Sequence, residues 1–195
     1  MNAESVTPDP SALKALSHPV RLRMLGLLRS EGPSTASRLA ERLGLNSGAT
    51  SYHLRNLAQH GFVVDDPERG NGRDRWWRAA HQAIRTNNAT ASRTPEGRDS
   101  IDAFVQAVAV AHTEALQRAV EERPLLPAQW WRATSMSDWG LRLSADDAVE
   151  LKAALEAVFE SFSARETEDE SDDAAHMVYQ VHAFPLPGTI APDVP

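Results

Sequence analysis

Apolar residues recur at helical spacing in four successive segments near the N-terminus of this chain. A short helix is expected over about residues 11–17, and a longer one over about residues 20–30. Two further helices are expected within residues 34–61, with Gly44 between them as the left-handed residue that ends the first of the pair. The apolar stripes predicted to face a common core are Val20, Met24, Leu27 and Leu28 in the second helix, Ala36, Leu39, Ala40 and Leu43 in the third, and Thr50, Leu54, Leu57 and Ala58 in the fourth.

The period of the pattern changes directly after the fourth helix. Residues 62–65 and 75–79 have the β-branched and aromatic content of short strands, and Asn71-Gly72 between them is a strong β-hairpin signal. Helix, turn, helix and hairpin in this order are typical of a winged helix-turn-helix domain, whose recognition helix enters the major groove of DNA. We therefore expect double-stranded DNA as a partner, contacted by the helix at residues 47–60 and by a wing at residues 67–75.

The second half of the chain is organised differently. Residues 86–97 are rich in turn-forming residues, and a long helix is expected from about residue 98 to residue 122. Apolar positions spaced alternately by four and three run along that helix, which predicts a coiled-coil-like seam. Beyond it, residues 136–143 and 176–186 have strand-like composition and flank a helix capped by Ser144. The seam, which is the predicted dimer interface, comprises Ile101, Val105, Val108, His112 and Ala115.

These elements predict an α+β chain that is mainly α. The N-terminal winged helix-turn-helix domain is assigned to residues 1–86, and a linker follows at residues 87–97. Residues 98–195 are assigned to a long dimerisation helix and a small α+β C-terminal domain. A single short recognition helix contacts too few base pairs to be selective, so a homodimer on a palindromic operator is the expected assembly.

The charge distribution divides at the same place. The net charge of the whole chain is −7, which by itself disfavours a polyanionic partner. Residues 1–86, however, carry twelve Lys and Arg against eight Asp and Glu, a net charge of +4. Residues 87–195 carry eight Lys and Arg against nineteen Asp and Glu, a net charge of −11. This asymmetry is expected when only the N-terminal half meets phosphate; the alternative is that the acidic half simply keeps a second domain in solution.

The outward face of the fourth helix supplies the first candidate DNA contacts. Arg55 is the strongest candidate for a guanine edge or a phosphate, because its guanidinium can donate two parallel hydrogen bonds. Tyr52 is expected to meet a thymine methyl group or a phosphate. Ser47 and Ser51 are expected to donate to phosphates, and Gly48 lets the backbone come close to the duplex.

Two arginines of the hairpin extend this candidate surface. Arg69 and Arg73 lie on either side of the predicted turn, where their side chains can reach a minor groove or its phosphates. The alternative for each arginine is a solvated surface charge. His53 and His60, at the flank of the fourth helix, are expected to pack or cap rather than to contact bases.

Three segments give the N-terminal half a resemblance to a known family. They are ALSHPVRLRMLGLL at residues 15–28, ATSYHLRNLAQHGFV at residues 49–63 and GRDRWWRA at residues 72–79. Over about residues 11–80 the chain resembles the ArsR-like winged helix-turn-helix transcriptional regulators, in particular the larger actinobacterial-type members with a C-terminal extension. The resemblance implies a dimeric repressor-type regulator whose recognition helix corresponds to residues 47–60.

Cysteine content separates this chain from the metal sensors of that family. Those proteins use a cysteine-containing motif on the helix matching residues 34–44, and this chain has no cysteine. Metal sensing through that site is therefore not expected, and no metal or other cofactor is predicted. The lack of cysteine, of a secretory signal and of any apolar run of roughly 18 residues favours a cytoplasmic protein without a membrane partner.

The role of the C-terminal half is open between two interpretations. Its aromatic side chains can line a pocket for a small apolar or aromatic effector, since ligand pockets are mostly apolar. The same rings can instead form an ordinary core, and we favour that interpretation because aromatic side chains bury large areas. The candidate pocket residues are Phe104, Trp130, Trp131, Trp139 and Phe184.

Other classes of function are less consistent with the sequence. The chain has no glycine-rich phosphate loop, no Gly-x-Ser-x-Gly elbow and no HExxH motif, so enzymatic activity is not expected. The alternative to a DNA-binding regulator is a winged-helix protein-interaction module without a specific DNA target. The polar outward face of the fourth helix disfavours this alternative, because a protein-binding face presents apolar anchors.

Overall fold

The computed structural model describes residues 5–69, 74–81, 83–84, 94–163 and 174–191. The internal contacts of the chain divide it into two compact units, one comprising Ala3–Thr134 and the other containing Ser135–Pro195. In the first unit the helices are α1 (Pro10–Leu16), α2 (Pro19–Ser30), α3 (Ala36–Leu43), α4 (Ser47–Gln59), α5 (Pro95–Glu122) and α6 (Ala128–Trp131), with a 3-10 turn at Arg123–Leu125. Its strands are β1 (Ser5–Val6), β2 (Ser34–Thr35), β3 (Val63–Asp65), β4 (Trp76–Ala79) and β5 (Ala83–Ile84).

Side-chain caps fix where the central helices begin. The Oγ1 atom of Thr35 accepts a hydrogen bond from the Arg38 backbone N–H at 3.3 Å, and so caps α3. The Oδ1 atom of Asn46 accepts from the Ala49 N–H at 2.7 Å and caps α4. Between the two helices Gly44 has φ 65°, a left-handed conformation that ends α3 and turns the chain toward α4. The helix-turn-helix pair predicted from the sequence is confirmed.

The wing is built on a three-stranded antiparallel sheet in the order β2-β4-β3. Strands β3 and β4 are the predicted hairpin, with Val63 opposite Ala79. On the other side of β4, Ser34 pairs with Trp77, so the residues that precede α3 form a short third strand that the sequence pattern did not indicate. A separate parallel pair joins β1 to β5. The mainly helical fold with a winged helix-turn-helix domain is thus confirmed.

One hydrophobic core holds the first unit together. Leu16 from α1, Met24 from α2, and Leu54 and Leu57 from α4 are fully buried, and Phe62 closes the core beside β3. Burial of each such side chain contributes roughly 1.5–3 kcal/mol to folding. Because α4 supplies two of these residues, its position is set by the centre of the core.

The long helix α5 packs on the winged helix-turn-helix domain rather than standing apart from it. Ile101, Phe104, Ala107 and Ala111 are buried on one face of α5, which contacts α1 and α2. Residues 98–134 therefore share a compact unit with the winged helix, a grouping that differs from the division at residues 87–97 drawn from composition. Whether residues 98–195 fold independently stays a prediction.

The second unit contains one described helix, α7 (Ala145–Ser163). The Ser144 Oγ atom accepts a hydrogen bond from the Asp147 N–H at 3.1 Å, as the predicted cap requires. Residues 136–143 and 176–186 are not strands, so that prediction was wrong. Strand-like composition is not sufficient, because a strand also needs a neighbour that satisfies its backbone hydrogen bonds. Among the described residues, no helix combines the length and apolar content needed to cross a membrane.

Candidate nucleic-acid interface

Helix α4 is anchored on one side and open on the other. Thr50, Leu54 and Leu57 form the inward face of α4 and are fully buried. The Thr50 hydroxyl donates a 3.0 Å hydrogen bond to the Asn46 carbonyl. The buried hydroxyl is therefore satisfied within the helix. Since the inward side is held in the core, rotation of α4 about its axis is restricted and the side chains it presents outward have a defined direction.

The outward face of α4 brings all five of its predicted DNA contacts together. Ser47, Gly48, Tyr52 and Arg55 are exposed and Ser51 is half-buried, with Tyr52 exposed to 59%. The helix contains no Asp or Glu, and among the described residues Arg55 forms no ion pair. The face therefore offers hydrogen-bond donors and no carboxylate, which suits the phosphates and acceptor-rich base edges of a DNA groove.

The described part of the wing supplies one of its two predicted arginines. Arg69 is exposed, and its Nε atom lies 3.9 Å from the Asp66 carboxylate, a distance at the outer limit of an ion pair. An ion pair of this length on an exposed arginine is weak, so the Arg69 side chain can reorient toward another anion. Arg73 and the Asn71-Gly72 turn lie outside the described residues.

Two further arginines brace the wing, and the sequence analysis did not select them. The Arg75 guanidinium lies 4.1 Å from the ring centroid of Trp77 and pairs with the Asp65 carboxylate at 3.1 Å. The Arg38 guanidinium of α3 lies 4.7 Å from the ring centroid of Trp76. Cation–π contacts of this kind contribute about 0.5–1 kcal/mol at exposed sites. The alternation of arginine and tryptophan at residues 73–78 was the sequence feature that could have indicated these contacts.

The wing is also tied to α2 by a half-buried arginine, Arg29. The Arg29 Nε atom donates a 2.8 Å hydrogen bond to the His81 carbonyl, just beyond the end of β4. Burial lowers the pKa of Arg29 to about 10, so the guanidinium still carries its charge at neutral pH. This charged hydrogen bond fixes the end of the hairpin to the helical core.

A second group of side chains missed from the sequence joins α2 to the edge of α4. The Arg21 Nη1 atom donates a 2.6 Å hydrogen bond to Asn56 Oδ1. Beside it, the imidazole of His18, which caps α2, lies 4.6 Å from that of His53, and Tyr52 contacts His53 edge-on at 5.5 Å. We name His18, Arg21, Tyr52, His53 and Asn56 the α2–α4 junction. The sequence analysis indicated this junction only through His53, which it placed at the flank of the fourth helix and expected to pack or cap.

Burial and mutual repulsion set the protonation of this junction. Burial, followed by the Arg21 charge, lowers the pKa of His18. Burial, followed by the charges of His18 and Arg21, lowers the pKa of His53. Burial also lowers the pKa of Arg21, which its position beside Tyr52 partly offsets. Both imidazoles are therefore neutral at pH 7, and Arg21 is the one permanent charge of the junction.

The predicted dimer seam is divided between two faces of α5. Ile101 is buried in the core of its own chain, so its assignment to an interface was wrong. Val105 is exposed to 51%, whereas Val108, His112 and Ala115 are half-buried at the border of the packed face. The sequence pattern located the apolar helix α5 correctly. It did not show which of its apolar positions pack against the core of their own chain.

The five aromatic residues proposed to line a pocket have different surroundings. Phe104 is packed in the core of the winged helix unit and is not available to a ligand, which corrects its assignment. Trp131 is exposed, donates a 3.0 Å hydrogen bond to the Leu126 carbonyl and lies 4.5 Å from the Arg123 guanidinium. Trp130 is half-buried in α6. Trp139 and Phe184 belong to the second unit, and both are exposed.

No metal centre is found in the part of the chain that the structure describes, where no three potential ligands among His, Cys, Asp and Glu converge. The described interface presents hydrogen-bond donors and arginine charge, which suit an anion-rich partner.

Comparison with known proteins agrees with this geometry over the N-terminal region. Residues 16–65 match a family model described as a helix-turn-helix domain. The chain is 38% identical over 66 residues to the HTH-type transcriptional regulator NmtR of Mycobacterium tuberculosis, which covers 34% of this chain and 54% of NmtR. It is 39% identical over 51 residues to the HTH-type transcriptional regulator YgaV of Escherichia coli K12, covering 26% of this chain and 52% of YgaV. The chain thus spans about half the length of these curated relatives.

Solved structures add a more distant likeness. The transcriptional regulator Tm0710 of Thermotoga maritima is 11% identical with a TM-score of 0.30, over 75% of this chain and 77% of Tm0710. A TM-score of this size does not establish a shared whole-chain fold. The similarity that can be assigned to residues is that of residues 16–65, which form a helix-turn-helix domain.

Proposed function

We propose that this chain is a homodimeric, sequence-specific DNA-binding transcriptional regulator of the ArsR-like type, acting as a repressor on a palindromic operator. The observation that carries the proposal is the face of α4 that presents Ser47, Tyr52 and Arg55 without any carboxylate. The face is polar, and the buried inner side of α4 holds it in place. These are the properties of a recognition helix that enters a major groove.

The roles of the side chains follow from their position on α4. Arg55 donates to a guanine edge, which a planar guanidinium can contact through two hydrogen bonds. Ser47 and Ser51 donate to phosphates, and Tyr52 meets a thymine methyl group or a phosphate. Arg69 reaches the backbone beside the groove. Residues 67–75 accordingly act as the wing.

The dimer forms through an exposed apolar stripe on α5, beside the face that packs on the winged helix. Val105 is 51% exposed, Leu116 48% and Val120 44%, and Ala109 lies between them on the same side. We name Val105, Ala109, His112, Leu116 and Val120 the α5 stripe. Its spacings of four, three, four and four are those of a helix–helix interface. A monomer would leave this stripe in water at a cost of about 25 cal/mol per Å² of apolar surface.

The stripe is complementary to itself, which favours a second copy as its occupant. If two α5 helices pair antiparallel about a point between residues 112 and 113, Val105 faces Val120 of the second copy. Ala109 then faces Leu116, a small side chain opposite a large one, as interdigitated packing requires. In the same register Asp102 faces Arg123 of the second copy, so the charges beside the stripe are also complementary. A two-fold axis at this point brings every one of these contacts twice.

Selection of binding sites tests the proposal. The purified full chain is mixed with random duplex DNA, and the retained fragments are sequenced after several rounds. We expect an inverted repeat whose half-sites are about one helical turn apart, with retention that weakens as salt rises. Retention without sequence enrichment would instead favour the alternative, a winged-helix interaction module without a specific DNA target.

Effector binding by the C-terminal half stays a prediction. If an effector exists, the same selected operator provides the test, because a sensor must couple ligand binding to DNA affinity. A compound that raises the melting temperature of the full chain and changes its affinity for the operator would support it. A compound that does only the first would indicate binding without regulation.

A further inference from the structure

We propose that Arg21 of α2, outside the helix-turn-helix pair, anchors one backbone phosphate of each DNA half-site together with the Tyr52 hydroxyl. The inference deepens the proposed function and rests on it. It extends the DNA interface from α4 and the wing to a third element of the chain.

The position of the Arg21 guanidinium is set by the recognition helix itself. Its Nη1 atom donates a 2.6 Å hydrogen bond to Oδ1 of Asn56, a residue 35 positions away on the flank of α4. This bond occupies one nitrogen and holds the planar group at the edge of the outward face. Nη2 carries two further N–H donors, fixed in the plane of the guanidinium.

The charge of Arg21 has no counter-charge in the part of the chain that the structure describes. Its hydrogen-bond partner is a neutral amide, and no described carboxylate forms an ion pair with it. Its Nε atom is buried and has no hydrogen-bond partner. Arg23, two residues along the same helix, is by contrast paired with Glu114 at 3.3 Å. A half-buried cation without a counter-charge is costly, and an incoming anion would offset that cost.

The neighbours of Arg21 are suited to an anion that only accepts hydrogen bonds. His18 and His53 are neutral imidazoles, and Tyr52 brings a hydroxyl donor on an exposed side chain. A phosphate oxygen accepts strongly from both guanidinium and hydroxyl donors. When a recognition helix lies in the major groove, the backbone phosphates pass along its edges. Arg21 lies beside one such edge, behind the residues that face the bases.

The salt dependence of operator binding separates a phosphate contact from a purely structural role. Arg21→Gln removes the charge, and Arg23→Gln is the matched control on the same helix. We expect Arg21→Gln to reduce the slope of log Kd against log salt by about 0.9, the value for one neutralised phosphate. Its affinity would then fall about 3.5-fold less than that of the wild type over a fourfold increase in salt. Base preferences should not change.

Asn56→Ala distinguishes the two explanations for any loss of affinity. This variant releases Arg21 from α4 but keeps its charge, so we expect the slope of the wild type. If Arg21→Gln and Asn56→Ala weaken binding alike and neither changes the slope, Arg21 only holds the recognition helix and the proposal is wrong. A change of base preference at one position in Arg21→Gln would also overturn it, because a phosphate contact carries no sequence information.

A scan of the operator provides a second measurement of the same contact and locates the phosphate. Neutral methylphosphonates replace one phosphate at a time, and the binding of the unmutated chain is measured. We expect one position per half-site at which the methylphosphonate weakens the binding of the wild type and of Arg21→Lys. The binding of Arg21→Gln should not be weakened by the substitution at that position. If every sensitive position is equally sensitive in Arg21→Gln, the inference fails while the proposed function stands. If the wild type selects no operator at all, the proposed function itself fails.

Discussion

The imidazole rings of His18 and His53 lie 4.6 Å apart between centroids, with their planes tilted by 54°. His18 Nδ1 accepts the hydrogen bond of the Val20 N–H at 3.2 Å and so caps α2, while His53 belongs to α4. The start of one core helix and the flank of the recognition helix therefore meet through two neutral rings. The cap needs an unprotonated Nδ1, because an imidazolium has no acceptor.

This contact predicts a loss of stability in mild acid. Burial and the Arg21 charge lower the pKa of both histidines below their ordinary value of 6.5. Between that value and the lower pKa of the folded state, the unfolded chain binds more protons than the folded one. Stability is therefore fully present above about pH 6.5 and falls as the pH decreases below it. Melting temperatures measured between pH 7.5 and pH 5.5 should show this fall.

His18→Asn provides the control for the acid effect. An Asn side chain can cap α2 through its oxygen but does not titrate, so the melting temperature of this variant should depend less on pH. Equal pH profiles for the wild type and His18→Asn would show that protonation of His18 does not cause the loss.

Arg55 and Arg69 are expected to contribute to DNA binding in different ways. Arg55→Ala should weaken the free energy of binding to the selected operator by about 1–3 kcal/mol and relax base preference at one position per half-site. Arg69→Ala should weaken binding to all sequences alike and reduce the salt slope by about 1. Titration of operator and scrambled duplexes at two salt concentrations measures both effects. If Arg55→Ala changed neither affinity nor preference, the proposed orientation of α4 on DNA would be wrong.

Substitutions on α5 test the dimer proposed for its exposed stripe. Val105→Glu and Val120→Glu each place two carboxylates in the two-fold interface, so either should yield a monomer in sedimentation analysis. Val110→Glu is the matched control, since Val110 is equally exposed at 45% but lies about 140° around the helix from Val105. Its dimer should persist. A dimer that survives both stripe substitutions would place the interface elsewhere.

The core beneath the recognition helix is expected to be sensitive to cavities. Leu54 is fully buried, so Leu54→Ala should lower the free energy of unfolding by about 2–5 kcal/mol. Gln59→Ala, at an exposed position of the same helix, should change it by less than about 0.5 kcal/mol. Urea denaturation of the two variants makes the comparison. Similar midpoints would mean that α4 is not held by the core in the way the structure indicates.

Local sequence determined the helix-turn-helix pair and its hairpin. Helical periodicity placed Leu54 and Leu57 inward, and Gly44 took the positive φ expected of it. These features depend on residues within a few positions of one another. The outward face of α4 followed directly, because the side opposite a buried stripe must face solvent.

Tertiary packing decided the features that local patterns left ambiguous. The apolar residues of α5 are consistent with more than one buried face, and contact with α1 and α2 selected the one containing Ile101 and Phe104. Strand β2 has two residues and no pattern of its own; it exists because β4 offers an open edge at Trp76 and Trp77. A two-residue strand is formed by its partner, not by its composition.

The same distinction separates the missed parts of the site from the predicted ones. The hydrogen bond from Arg21 to Asn56 joins residues 35 positions apart, and no spacing rule relates them. Residues 136–143 and 176–186 have strand composition but lack the pairing that makes a strand. Composition and period by themselves determined which residues prefer a helix, a turn or a buried position. Which surfaces and charges meet was decided only by the fold, because those contacts depend on distances between segments that the order of residues does not encode locally.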